Sequence, residues 1–403
     1  MKKSKIAITM VALMTFSSLA GCASTSSTTP TSAAPAASSE ESKAETPSGD
    51  TIKIGYVSAL SGDTALWGQA GLNGMNLTLK EINANGGVLG KQIEIIGLDG
   101  KGDPADSVSA YKKLVDEYGV CAVVGTNFSS CNIPIAAVAD ELKVPIVATA
   151  ASNELVTVDE NGKLHPYSFR LCFIDSYQGT VAGKYSLEKL GFKKAAIITD
   201  ISDAYSTGVG KYMEESFIAA GGEIVARETA QSSDNDFRAQ LTKIAKAQPD
   251  VLFVPWIYQK VGLISKQAKE VGINCALFGA DGWDSNELVE LSGNTLDGSY
   301  YVSRIGFNSP DAAAYGEKYV AEYKIDLEAE CLYGNDGLLW LVDAIERAGS
   351  AEPEAVRDAL EATDTFTGLL GTMKMDAATH NPLREVAVFE CINGEFKYVE
   401  TYK

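Results

Sequence analysis

Short apolar runs of about four to six residues alternate along most of this chain with amphipathic stretches of about ten to twenty. That rhythm predicts parallel strands joined by crossover helices. Strands are expected at residues 52–57, 93–97, 121–125 and 145–148. Helices are expected at 68–85, where Leu72, Met75, Leu79 and Ile82 share one face, and at 104–118. After Asp175 the unit is built again, with strands at 195–199, 223–227, 251–255 and 276–279, each followed by a helix-like segment. Two such units in tandem imply a cleft, because ligands on doubly wound sheets bind beyond the carboxyl ends of the strands. The loops that would face it, at residues 60–68, 126–131, 150–155, 203–208 and 279–284, mix hydroxyls, aromatics and small residues. Function is expected there.

The first 50 residues break the rhythm. Lys2, Lys3 and Lys5 precede an apolar run at residues 6–14, too short to span a bilayer and of the length of a secretory leader's core. Leu19, Ala20, Gly21 and Cys22 then resemble the lipobox of bacterial lipoproteins, which predicts a signal peptide at 1–21 and acyl groups on Cys22. A plain secretory leader with a chance cysteine is the alternative. Residues 23–50 are almost all Ser, Thr, Ala and Pro, too poor in large apolar groups to form a core, and read as a flexible tether. It would reach about 90 Å fully extended. No later apolar run is long enough for a membrane helix.

Losing the three leader lysines takes the formal charge from −19 to −22, which argues against nucleic acid as a partner. Besides Cys22 the chain has Cys121, Cys131, Cys172, Cys275, Cys331 and Cys391, with no C-x-x-C pair; neither a zinc site nor a dense disulfide framework is indicated. Both histidines, His165 and His380, sit in turn-like contexts, and no H-E-x-x-H, G-x-S-x-G, Walker A or G-x-G-x-x-G sequence occurs. Neither an enzyme nor a cofactor or metal is expected.

Several stretches together resemble the leucine/isoleucine/valine-binding proteins of ABC transporters, which have the type I periplasmic-binding fold. They are the Leu60-Ser61-Gly62 loop ending at Trp67-Gly68, the run Ile82-Asn83-Ala84-Asn85-Gly86-Gly87-Val88-Leu89-Gly90, and Phe169-Arg170 leading to Asp175-Ser176-Tyr177-Gln178-Gly179. Lys266-Gln267-Ala268 and Asp281-Gly282-Trp283-Asp284-Ser285 complete the set. The resemblance covers essentially the whole mature chain. It implies an α/β protein of two doubly wound parallel-sheet lobes joined by a three-crossover hinge. Crossovers near Phe173, Ser303 and Gly368 would assign residues 51–173 and 304–367 to lobe 1, and 174–303 and 368–403 to lobe 2.

The same resemblance implies a monomer that closes on a small ligand and passes it to an ABC permease. For an L-amino acid, Ser129 and Ser152 would donate hydroxyls to the carboxylate, and the Ala150 carbonyl, beside Ala151, would accept from the ammonium. Asp281 would pair with that ammonium, Tyr205 would meet the ligand from lobe 2, and Asp175 would support the network near the hinge. Trp67 would pack on the ligand's side chain, with Trp256 and Asn335 shaping the rest of the pocket. From the residues alone other roles stay open: Ser129 as a helix cap, Asp281 as a turn residue, Tyr205 as packing. An aliphatic ligand is the family's default, and aromatic or polar amino acids stay open beside it. A non-amino-acid carboxylate or amide, or a sensor lipoprotein feeding a membrane receptor, would use the same cleft.

Overall fold

The computed structural model describes residues 51–304 and 309–402. The expected leader, Cys22 and the tether lie outside the described residues.

Five parallel strands form the first sheet: β1 (Ile52–Ser58), β2 (Ile93–Asp99), β3 (Ala122–Val124), β4 (Ile146–Ala148) and β5 (Ser168–Arg170), in the order β2-β1-β3-β4-β5. They are linked by α1 (Ala65–Ala84), α2 (Pro104–Asp116) and α3 (Ser129–Leu142). Strands β3, β4 and β5 are buried along their whole length, as expected of parallel strands covered on both faces, which is why they appear as unbroken apolar runs. Local signals set the helix starts. Asp103 accepts from the N–H groups of Ala105 and Asp106, at 2.8 and 3.0 Å, and Pro104 fills the first position of α2.

The chain then leaves this sheet, and α4 (Asp175–Glu188) opens the second series. It continues through β6 (Lys194–Asp200), α5 (Ala204–Ala219), β7 (Glu223–Ala230), α6 (Arg238–Ala247), β8 (Val251–Phe253), α7 (Tyr258–Glu270), β9 (Ala276–Gly279), α8 (Asn286–Ser292) and β10 (Tyr300–Arg304). Its parallel strands run β10-β9-β8-β6-β7, the same winding as the first sheet. In both sheets the order reverses between the first and third strands of the series, the place where such sheets hold ligands.

Helices α9 (Pro310–Tyr323), α10 (Ala329–Ala348) and α11 (Pro353–Glu361) return to the first lobe, where α10 crosses α1. A Cβ on Gly334 would stand 2.0 Å from the Gly71 carbonyl oxygen, so the two backbones meet this closely only without a side chain there. A small antiparallel sheet follows, β11 (Thr365–Gly368), β12 (Gly371–Asp376) and β13 (Asn381–Leu383). The chain joins the second sheet only at β14 (Val386–Ile392), antiparallel to β10, and ends with β15 (Glu395–Tyr402).

The third crossover therefore lies at residues 384–385 and not near Gly368. Phe366, Leu370, Met373 and Met375 pack in the same core as Trp340 and Phe169 of the first lobe. Asp336 on α10 accepts from the N–H groups of Leu369 and Leu370, at 2.7 and 2.9 Å. His380, fully buried, stacks on Phe169 with ring centroids 4.0 Å apart. These contacts hold residues 365–383 to lobe 1.

Candidate functional site

The loops at the carboxyl ends of the two sheets meet around a cleft lined by residues of both. Lobe 1 supplies Trp67 from the start of α1, Ser129 from the start of α3 and Ala150 after β4. Lobe 2 supplies Tyr205 from the start of α5, Ile257 after β8 and Asp281 after β9. The walls touch. Trp67 lies 4.8 Å from Tyr258, centroid to centroid, and Gln259 Nε2 donates to the Asp63 carbonyl at the mouth.

Ser129 is not a helix cap. Phe128 occupies that position, and Ser129 Oγ instead accepts from the Asn153 N–H at 3.1 Å. The Cys131 and Asn132 N–H groups donate to the Phe128 carbonyl, at 3.2 and 3.0 Å, which leaves those of Ser129 and Ser130, with the helix dipole, to favour an anion at this end of α3. Opposite stands Asp281, buried in a 3-10 turn at Asp281–Trp283. Burial pushes its carboxyl up to about 6, against the pull of Arg304 and the hydrogen bonds of Tyr205 and Gln178. Tyr205 fixes this turn, its hydroxyl oxygen accepting from the Gly282 N–H at 2.7 Å.

Ala151, Ser152, Asp175, Trp256 and Asn335 do not line the cleft. Ser152 is fully buried, and its Oγ accepts from Gln178 Nε2 at 3.2 Å. Gln178 Oε1 in turn accepts from the Asp281 N–H at 3.2 Å, so Ser152 and Asp281 belong to one network. Asp175 lies behind it, bonded by Asn153 Nδ2 at 3.1 Å. Trp256 turns into the core of lobe 2, donating from Nε1 to the Ile198 carbonyl at 2.8 Å; its neighbour Ile257 reaches the cleft. Asn335 is spent inside lobe 1, accepting from Thr78 at 2.6 Å and donating to Asp336 at 2.9 Å.

The sequence reading missed four polar residues on the cleft wall: Asn127, Asp284, Arg304 and Glu330. Arg304 ends β10, with Nη2 3.1 Å from Asp284 and its guanidinium carbon 4.4 Å from the Tyr333 ring centroid. Glu330 sits in the first turn of α10, where burial pushes its carboxyl up to about 8 despite Arg304. Asn127 Nδ2 and Trp67 Nε1 are buried without a hydrogen-bond partner among the described residues. Arg170, also missed, shapes the site from behind: it donates to the carbonyls of Ala151 (3.1 Å) and Asn153 (2.7 Å), which fixes the loop after β4. Among the described residues no group of side chains has the make-up of a metal site, and no helix is long and apolar enough to cross a membrane.

The cleft thus lies between two identically wound lobes, with a helix start on one wall and a buried carboxyl on the other. The family profile described as periplasmic binding protein matches residues 51–395. The chain belongs to the Leu/Ile/Val-binding family of type I periplasmic binding proteins. Members of this family are substrate-binding proteins, and membership places the protein outside the cytoplasm. The family protein is 29% identical over 347 residues to Leu/Ile/Val-binding protein homolog 2 of Brucella abortus (strain 2308), covering 85% of this chain and 91% of that one. A branched-chain amino acid transporter substrate-binding protein of Streptococcus pneumoniae, solved in complex with isoleucine, is 32% identical with a TM-score of 0.81, covering 88% and 99% of the two chains. A solute-binding protein of R. palustris, solved with benzoate, is 22% identical with a TM-score of 0.78, covering 87% and 96%; there the likeness is one of fold.

Proposed function

We propose that this protein is the substrate-binding lipoprotein of an ABC importer and that it binds an L-α-amino acid between its lobes. The observation that carries the reading is that Ser129 and Asp281 line one cleft from opposite lobes. The Ser129 hydroxyl and the N–H groups of Ser129 and Ser130 suit a carboxylate, and the Asp281 carboxylate suits an ammonium. The Ala150 carbonyl adds an acceptor from lobe 1, and Trp67 with Phe128, stacked at 6.1 Å, forms an aromatic wall. Ser152 and Asp175 act through Gln178, which holds the Asp281 backbone, and not by touching the ligand. The relatives' named ligands, Leu, Ile and Val, share this zwitterionic head.

Binding closes a monomer about its three crossovers, and the acyl groups on Cys22 keep the receptor beside its permease. The experiment that tests the reading is calorimetry across L-amino acids, their amides and amine-free carboxylic acids. An L-amino acid binding more tightly than both its amide and its deaminated analogue supports it. Equal or tighter binding of the amine-free acid rejects it. Labelled fatty acid entering the wild type but not Cys22→Ser tests the anchor, and equal labelling of both rejects it.

A further inference from the structure

An amino acid held by Ser129 and Asp281 leaves Asp284 and Arg304 of lobe 2 and Glu330 of lobe 1 on the cleft lining with no ligand group to meet. Covering a charge with hydrocarbon strips its water and returns no hydrogen bond. Asp284 and Arg304 answer one another at 3.1 Å, and Asp284 also accepts from Ser303 Oγ at 2.8 Å. Glu330 differs. It is 4% exposed, it lines the cleft, and among the described residues its carboxylate makes no hydrogen bond and no ion pair. Its electrostatic neighbours are Arg304 and the carboxyls of Asp281, Asp284 and Glu328, so acid outweighs base around it. A second ligand carboxylate would meet that excess with repulsion; a donor would relieve it.

Resting on the amino-acid reading of the cleft, we infer that Glu330, beside the Asp284–Arg304 pair, forms a side-chain subsite that selects an amino acid bearing a hydrogen-bond donor, a hydroxyl, amide or ammonium, over the aliphatic ones. A site with a buried polar group rejects a ligand that cannot satisfy it far more strongly than it rejects a missing methylene. Glu330 is thus a specificity residue of the cleft.

Calorimetry of the full chain with threonine, glutamine and lysine against leucine, isoleucine and valine tests this, in the wild type, Glu330→Gln and Glu330→Leu. The wild type is expected to bind at least one donor-bearing amino acid about tenfold or more tighter than the best aliphatic one. Glu330→Leu should reverse that order while still binding amino acids, and the nearly isosteric Glu330→Gln, which keeps the fold, should narrow the gap. Aliphatic amino acids binding as tightly as the best donor-bearing one, with the ratio unmoved in Glu330→Leu, overturn the inference and leave the amino-acid reading standing. Preference for glutamate also overturns it. Binding of amine-free acids and of no amino acid overturns both.

Discussion

Asn153 donates from Nδ2 to Asp175 Oδ2 at 3.1 Å, joining the loop after β4 to the first residue of α4 where the chain passes from one lobe to the other. The same amide donates to the Ala204 carbonyl at 2.9 Å, and the Asn153 N–H donates to Ser129 Oγ at 3.1 Å. One residue therefore touches the cleft-lining Ser129, the crossover and the start of α5 in lobe 2. Burial raises the Asp175 carboxyl well above the usual carboxylate range, so the protonated acid is favoured inside this network.

Gly208 is what lets α5 reach that network. A Cβ on it would stand 2.3 Å from Asp175 Oδ2 and 2.6 Å from Asn153 Nδ2, both inside contact distance. Gly208→Ala is expected to push α5 outward, costing about 1–3 kcal/mol of stability, as overpacking does. Urea unfolding should show a lower midpoint, and calorimetry a weaker ligand, because the displaced helix carries Tyr205. An unchanged midpoint would show that the crossover tolerates a methyl group.

Asp281 is expected to be the ammonium's partner. In Asp281→Ala the ligand's charge would be buried unpaired, at a cost of roughly 3–5 kcal/mol. That corresponds to about two to three and a half decades in affinity. Asp281→Asn keeps the shape and the bond to Gln178 through its backbone, so a similar loss there would assign the effect to charge. Calorimetry reads both, and near-wild-type affinity in either variant would remove Asp281 from the role.

The parallel core was legible because covered strands appear as continuous apolar runs: residues 145–148 and 251–255 stand out as strands, and β4 and β8 lie within them. Helix α1, expected at 68–85, runs Ala65–Ala84, and α2, expected at 104–118, runs Pro104–Asp116. The final hairpin was not legible. β15 mixes exposed and half-buried positions, with no residue fully covered to mark a core face. In the site, Trp67, Ser129, Ala150, Tyr205 and Asp281 follow strands and could be found from loop position and family resemblance. Arg304 and Glu330 look like ordinary surface charges in the sequence, since only the tertiary fold buries them, setting Arg304 against Tyr333 of α10. Ser152 and Trp256 were misleading for the opposite reason. They stand in the right loops, but their side chains turn back toward Gln178 and Ile198.

Proton release on binding follows from the two raised carboxyls of the cleft. Burial lifts Asp281 from the usual 3.8 to about 6 and Glu330 from 4.5 to about 8, with Arg304 pulling both the other way. Between about pH 4 and 8 the unfolded chain thus holds fewer protons at these sites than the folded one. Their contribution to stability is fully present below pH 4 and is lost as the pH rises through 6 and then 8. A bound ammonium reverses the balance, because it favours the ionised carboxylates. Binding at pH 7 should release protons, and affinity should rise as the pH climbs from 5 toward 8. Calorimetry in buffers of different ionisation enthalpy measures the release directly, as a slope of observed heat against that enthalpy. Glu330→Gln should remove the part of the pH dependence near 8, and Asp281→Asn the part near 6. A wild-type heat that does not change with buffer would mean that neither carboxyl changes its protonation when the ligand enters.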